Sequence, residues 1–328
     1  MRAQAKPPDI CCGRAMRLGF AVKVLGGGGL PSHDARRWRS GPHLRVSLKR
    51  LKDVLEYCDA HEIRMYRMAT ALAPYASHPD LHGFRQQPRE CAAELAEIGR
   101  LARELDIRLS SHPGQYTVLN SEDERIRRLA VEELEVQAEL MDAMGLGPEA
   151  VVVLHVGGAA GGVDAALERF EQGFELLSPA ARGRLAVEND DRTFGLADVL
   201  RLSERIARPV VWDALHHRCH DPDGIPDRDA LALALATWPS GVVPKVHFAS
   251  PKTAVEERRK RVGRRVERSL VLPQLRVHAD LIDPISFEHF IWETGRGMDF
   301  DVMLEAKAKD LALLRLRERL ADRTGVGT

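Results

Sequence analysis

Cysteine is scarce here and poorly placed for cross-linking. The chain has five, Cys11, Cys12, Cys58, Cys91 and Cys219, an odd number with no C-x-x-C pair. That argues against a disulfide framework and for a reducing cytosol. No apolar run approaches the roughly 18 residues of a membrane span. The opening "MRAQAKPPDICCGRA" has no apolar core of leader-peptide length. Residues 1–15 are therefore expected to form a disordered tail, with Met16 an alternative translation start. Net charge is also missing, since 48 Lys and Arg balance 48 Asp and Glu. A nucleic-acid partner would have to be held by local charge, not by a global field. The glycine fingerprint of dinucleotide folds is absent too: the one glycine cluster, "LGGGGL" at 25–30, lacks the G-x-G-x-x-G spacing.

What the chain does have is an alternation. With 328 residues, 44% of them hydrophobic, it can bury one large core. Strand-length apolar runs recur: "RLGFAV" at 17–22, "IRMYRM" at 63–68, "IRLSS" at 107–111, "AVVVLHV" at 150–156, "RLAVEN" at 184–189, "PVVWDA" at 209–214, "VPKVHF" at 243–248 and "DVMLEA" at 301–306. Several are apolar on both faces, as parallel strands covered by helices are. Helical stretches separate them. In "DERIRRLAVEELEVQAELMDAMG", Ile126, Leu129, Ala130, Leu134, Ala138 and Met141 form one apolar face, with acids in the first turn and Gly145 at the C-terminal end. Eight strands alternating with helices predict a single-domain (β/α)8 TIM barrel over 16–320, with a disordered tail at 321–328; an open doubly wound sheet is the competitor.

Barrel chemistry sits at the C-terminal ends of the strands, and candidate ligands collect there. His78 follows the second strand, His112 ends the third, His155 the fourth and Glu188 the fifth. Asp213 and His216 end the sixth with D-x-x-H spacing. Lys245 and His247 lie on the seventh, Glu305 ends the eighth, and His278 precedes it. Buried carboxylates need partners, and a shared metal cluster supplies them. Imidazole and carboxylate ligands without cysteine suit Zn, Mn or Fe. So many ligands exceed one ion, which implies two or three. Such clusters hydrolyse phosphodiesters; isomerisation or epimerisation of sugars on a metal-dependent barrel is the alternative.

At these residues the sequence resembles the UV damage endonuclease family. The resemblance runs through "RLGFAVKVL", "YRMATALAPYASHP", "RLSSHPGQYTVLNS", "EAVVVLHVGG", "VENDD", "WDALHH", "TWPSGVVPKVHFASP", "HADLIDP" and "DVMLEAKAKD" in order. It implies a TIM barrel similar to endonuclease IV that nicks duplex DNA immediately 5′ to cyclobutane dimers and 6-4 photoproducts, with abasic sites, on which members of the family often act, as a further candidate substrate. The products are a 3′-hydroxyl and a 5′-phosphate. It implies two or three divalent ions, typically Mn2+, held by His112, His155, Glu188, Asp213, His216, His247, His278 and Glu305, with Glu188 bridging. Lys245 and His78 would support incision by metal-activated water, and the lysine can be carboxylated in this family. Gln115 and Tyr116 would probe the duplex and fill the gap left by displaced nucleotides, and Phe20 would stand where other members place a lesion-contacting Tyr.

The expected partner is damaged double-stranded DNA, met by a monomer with no membrane and no required protein partner, in the cytoplasm at the nucleoid. One departure stands out. Between His247 and His278 lies an insertion, 252–277, where shorter members of the family have a much tighter connection. From Lys252 to Arg268 it carries eight Lys or Arg and three Glu, a net of +5. It reads as a basic loop gripping phosphates or as a solvated helix or disordered insert.

Overall fold

The structure is a computed structural model that describes residues 15–263 and 265–324. The expected tail at 1–15 therefore lies almost wholly outside the described residues, and Met16 is already buried against the core.

Among the described residues, each apolar run identified above forms a strand: β1 (Leu18–Ala21), β2 (Met65–Arg67), β3 (Arg108–Ser110), β4 (Val152–His155), β5 (Leu185–Glu188), β6 (Val210–Val211), β7 (Lys245–Phe248) and, after a hairpin of β8 (Glu256–Val262) and β9 (Arg265–Val271), β10 (Asp301–Leu304). The eight barrel strands pair in parallel as two curled sheets, β3-β2-β1-β10-β7 and β4-β5-β6. Single bridges join the sheets at both seams, Ser111 with Val152 and Asp213 with His247. The result is a closed TIM barrel. Each strand is two to four residues shorter than its apolar run, because the flanking residues lead into the connections.

Helices cover the outside of the barrel. The helix Glu124–Ala143 shows why the pattern folds this way: the Asp123 carboxylate caps it by accepting from the amides of Arg125 and Ile126, and Leu134, Ala138 and Met141 are buried. Packing can be very close. A Cβ on Gly99, in the helix Ala92–Glu104, would lie 1.7 Å from the Met144 carbonyl oxygen, so only glycine fits where these two helices meet.

The floor of the barrel is polar. The buried Arg108 guanidinium lies 3.0 Å from the Asp301 carboxylate, donates to the Val243 carbonyl and stacks on Trp238. Val151, Val153, Ala186 and Val211 pack around that indole.

Two expectations are corrected. The insertion is neither a helix nor an unstructured loop but an antiparallel hairpin, β8 with β9. The C-terminal helix, Lys309–Thr324, continues into the segment expected to be a disordered tail from 321; residues 325–328 lie outside the described residues.

Candidate active site

Parallel pairing puts all eight strand ends on one side, and the register holds the functional side chains at one level. His155 is opposite Glu188 across β4 and β5, His247 is opposite Met303 across β7 and β10, and Asp213 bridges to His247. Ligand atoms consequently converge in three overlapping groups: His112, His155 and Glu188; His112, His247 and Glu305; and Glu188, Asp213 and His216. Within each group the atoms lie within 4.8 Å of one another. His112 and Glu188 each belong to two groups, which is the geometry a multi-ion cluster needs.

Glu188 is the hub. Its Oε1 accepts from His247 Nδ1 at 2.7 Å. Its Oε2 is 2.8 Å from His112 Nε2 and 3.6 Å from His155 Nε2, with neither imidazole aligned to hydrogen-bond it. The imidazoles of His112, His155, His216 and His278 follow one another around the mouth at centroid spacings of 5.2, 5.5 and 6.1 Å. Burial pushes the Glu188 carboxyl up, but His247, His155 and His112 outweigh it and hold the group well below the usual range. Glu305 is held low in the same way, against burial, chiefly by Arg67 and His247. Burial drops His112 to about 4. His216 rises to about 9 because Asp213, Glu188 and Glu305 together overcome its burial.

The residues fit divalent metal ions. Glu188 Oε2, Asp213 Oδ2, His155 Nδ1 and His247 Nε2 are buried without a hydrogen-bond partner, a costly arrangement unless something else coordinates them. The donors are imidazole nitrogen and carboxylate oxygen, the mixture preferred by Mn, Zn or Fe. The His216 ring is aimed by its neighbour, since Nδ1 lies 3.0 Å from the Asn189 carbonyl oxygen and so leaves Nε2 as the ligand atom.

Of the eight ligands expected, His278 alone stays outside these groups, at the rim with Nδ1 3.6 Å from Glu305 Oε2. Lys245 is fully buried, two residues before His247 on the same inward face, and its Nζ has no hydrogen-bond partner. Burial, then Arg108 and Arg67, push its pKa well down.

Gln115 and Tyr116 occupy the corner of a turn closed by the Thr117 amide on the Gly114 carbonyl. Tyr116 is 85% exposed, so its ring is not packed on the barrel rim. Beside this turn lies a cavity of 520 Å3 lined by Gln115, His155, Asp191, His216, Gln274 and Arg276 among others. That is within the range of about 300–1,000 Å3 typical of pockets that enclose a small ligand.

Phe20 and His78 depart from expectation. Phe20 is fully buried, edge-on to Tyr66 at 5.4 Å, and presents no face to a substrate. His78 is exposed on the loop after β2, in contact with Tyr75 and the Asp80 amide rather than the ligand ring.

Two contributors were not anticipated. Arg67, on β2, pairs with Glu305 at the ring's edge; a buried cation at a strand end needs a counterion, and that was the available signal. Asn189 clasps Asp213, accepting from its amide at 2.9 Å and donating to its carbonyl at 3.1 Å.

The sequence matches the UV-endonuclease UvdE family over residues 43–328. This chain belongs to that family. Among UvdE relatives, the UV DNA damage endonuclease of Bacillus velezensis is 34% identical over 289 residues, covering 86% of this chain and 82% of its own. That of Bacillus pumilus is 34% identical over 280 residues, covering 84% and 82%. The crystal structure of SacUVDE superposes with a TM-score of 0.78 at 30% identity, over 94% of this chain and 99% of that one. A D-tagatose 3-epimerase-like protein matches with a TM-score of 0.53 at 15% identity, a likeness of fold alone.

Proposed function

We propose that this UvdE-family chain is a DNA-repair endonuclease. It nicks duplex DNA immediately 5′ to cyclobutane dimers, 6-4 photoproducts and abasic sites, leaving a 3′-hydroxyl and a 5′-phosphate. The observation that carries this reading is the juxtaposition of a multidentate ligand ring with the exposed Gln115-Tyr116 turn on one cavity.

His112, His155, Glu188, Asp213, His216, His247 and Glu305 would hold two or three divalent ions, Mn2+ being the favoured choice, with His278 completing the set from the rim. Ions there supply activation of water and stabilisation of both oxygens of an in-line phosphoryl displacement. The protein's own part is positional. Glu188 orients the His247 imidazole and draws those of His112 and His155 close by its charge, Arg67 holds Glu305, and Asn189 fixes Asp213 and His216. Lys245, beneath the ring with an unengaged Nζ, supports incision from inside the barrel.

Unstacking is least costly at a damaged site, where a few kcal/mol or less suffice. Tyr116 replaces the lost stacking, worth roughly 1–3 kcal/mol per base, and Gln115 offers both donors and acceptors to the orphaned partners. The displaced nucleotides enter the adjoining cavity. The test is to incubate the purified protein with Mn2+ and UV-irradiated supercoiled plasmid. Nicked circles only with both irradiation and metal are expected; intact plasmid, or equal nicking of unirradiated DNA, refutes the reading.

A further inference from the structure

The insertion carries charge that nothing in the ligand ring uses. From Arg258 to Arg265, six of eight residues are Lys or Arg and none is acidic. Every position of β8 and β9 is exposed except half-buried Val271. The register puts Arg259 opposite Arg268 and Arg261 opposite Val266, so on one face three arginines alternate with exposed Val266 and Leu270. Glu257 is the only acid on that face, paired with Arg259 at 2.7 Å. Charges this dense repel one another within a Debye length of about 8 Å, and the acids of the hairpin offset only part of that. A polyanion would neutralise them.

The base of the hairpin is fixed to the mouth of the barrel. Pro251 bridges to His278, the Lys252 amide donates to the Val277 carbonyl at 2.7 Å, and the Ala279 amide donates to the Ser250 carbonyl at 2.8 Å. The returning chain places Gln274 and Arg276 in the wall of the cavity that Gln115 lines, with Arg276 3.9 Å from the Asp191 carboxylate. The basic ribbon is thus continuous with the proposed lesion site.

We infer that β8 and β9 form a duplex-gripping arm that holds phosphates of the DNA flanking the lesion. This rests on the function proposed above and extends it to a second contact. A two-stranded ribbon fits the major groove. Seven residues per strand reach about 23 Å, roughly seven base pairs at the 3.4 Å spacing of one strand. Between Glu256 and Val271 there is no Asn or Gln, and the grip is on the backbone, as suits an enzyme that must act wherever damage falls.

The test compares the wild type with the combined variant Arg258→Gln, Arg259→Gln, Arg261→Gln and Arg268→Gln, all exposed. Circular dichroism and melting confirm that the variant folds. Binding to a 30-base-pair photoproduct-containing duplex is measured from 50 to 200 mM KCl without added metal, and incision is measured with Mn2+. If two of the four arginines meet phosphates at any moment, the salt slope falls by about 1.8 and affinity at 150 mM drops roughly 30-fold. KM for incision rises while kcat stays within about two-fold. Shortening one flank of the duplex below about seven base pairs weakens the wild type but not the variant.

Equal salt slopes and KM values, with both proteins nicking irradiated DNA, overturn the arm and leave the endonuclease reading standing. Variant-sensitive binding to anionic lipid vesicles, with unchanged DNA slopes, assigns the ribbon to a membrane and also overturns it. No nicking by the wild type refutes the endonuclease reading and the arm together.

Discussion

Lys245→Met should make the metal-free protein more stable and the loaded enzyme inactive. Lys245 is fully buried and its Nζ has no hydrogen-bond partner. Leaving a buried polar group unpaired costs about 1–3 kcal/mol. Methionine is close to lysine in length and volume, so it fills the same space without that penalty. The nearby carboxylates do not depend on the lysine, because Glu305 pairs with Arg67 and Glu188 with His247. For a chain of 328 residues the gain corresponds to a rise in Tm of about 1.5–4.5 °C.

The effect depends on pH with a definite sign. The folded-state pKa of Lys245 lies below the ordinary 10.5. Between the two values the unfolded chain binds more protons, so wild-type stability rises with pH through that window. The advantage of the substitution is therefore full below the folded pKa and shrinks as pH approaches 10.5. Calorimetry of chelator-treated proteins across that range measures it. Incision should fall by at least about 100-fold, with metal content unchanged. A lower Tm for the variant would show that the ammonium is a needed counterion of Glu188 and Glu305, and would refute the reasoning.

Other perturbations have equally direct outcomes. Glu188→Gln removes the charge shared by two ligand groups; metal retained after gel filtration and plasmid nicking should fall together, the affinity by more than about 100-fold, as plasma spectrometry and gels will show. Gln115→Ala with Tyr116→Ala should weaken incision of dimer-containing duplex by about 5- to 150-fold, equivalent to one lost stacking contact, with metal content and Tm unchanged. Phe20→Leu, at a ring buried against Tyr66, should cost on the order of 1 kcal/mol, a fall in Tm of about 1.5 °C, and leave the lesion preference of the folded protein unaltered. Gly99→Ala should destabilise the fold by more than about 3 kcal/mol, seen as a large loss of Tm, since its methyl would overlap the Met144 carbonyl.

The barrel strands were legible because each is a short apolar run, and the ring was legible because ligands clustered at the ends of those runs. The errors have physical origins. A parallel strand buried on both faces shows no alternation, so nothing in "RLGFAV" said which way Phe20 points. The hairpin is hard to read because cross-strand pairing of charged, solvated residues leaves almost no hydrophobic trace; its one signal is Gly263, at the turn between the paired Val262 and Arg265 with φ +62°, and a lone glycine in a charged run is weak evidence for a hairpin. Arg67 sat in plain view at the end of β2, but its significance appears only when Glu305 is brought beside it from the far end of the chain. His78 lies beyond its strand, in a loop whose path periodicity cannot give.

The two seams of the barrel carry a mechanical consequence. At each, a single bridge joins the five-stranded and three-stranded sheets. The ligand group of His112, His155 and Glu188 spans the first seam, while Asp213 and His247 face each other across the second. An ion gripped from both sides would act as a rivet, closing the cylinder where backbone pairing is thinnest. Exchange of the amides that cross these joints, Ser111 and Val153 at one and His247 at the other, should slow on metal loading more than exchange within either sheet. Catalytic readiness and the closure of the cylinder would then be one and the same state.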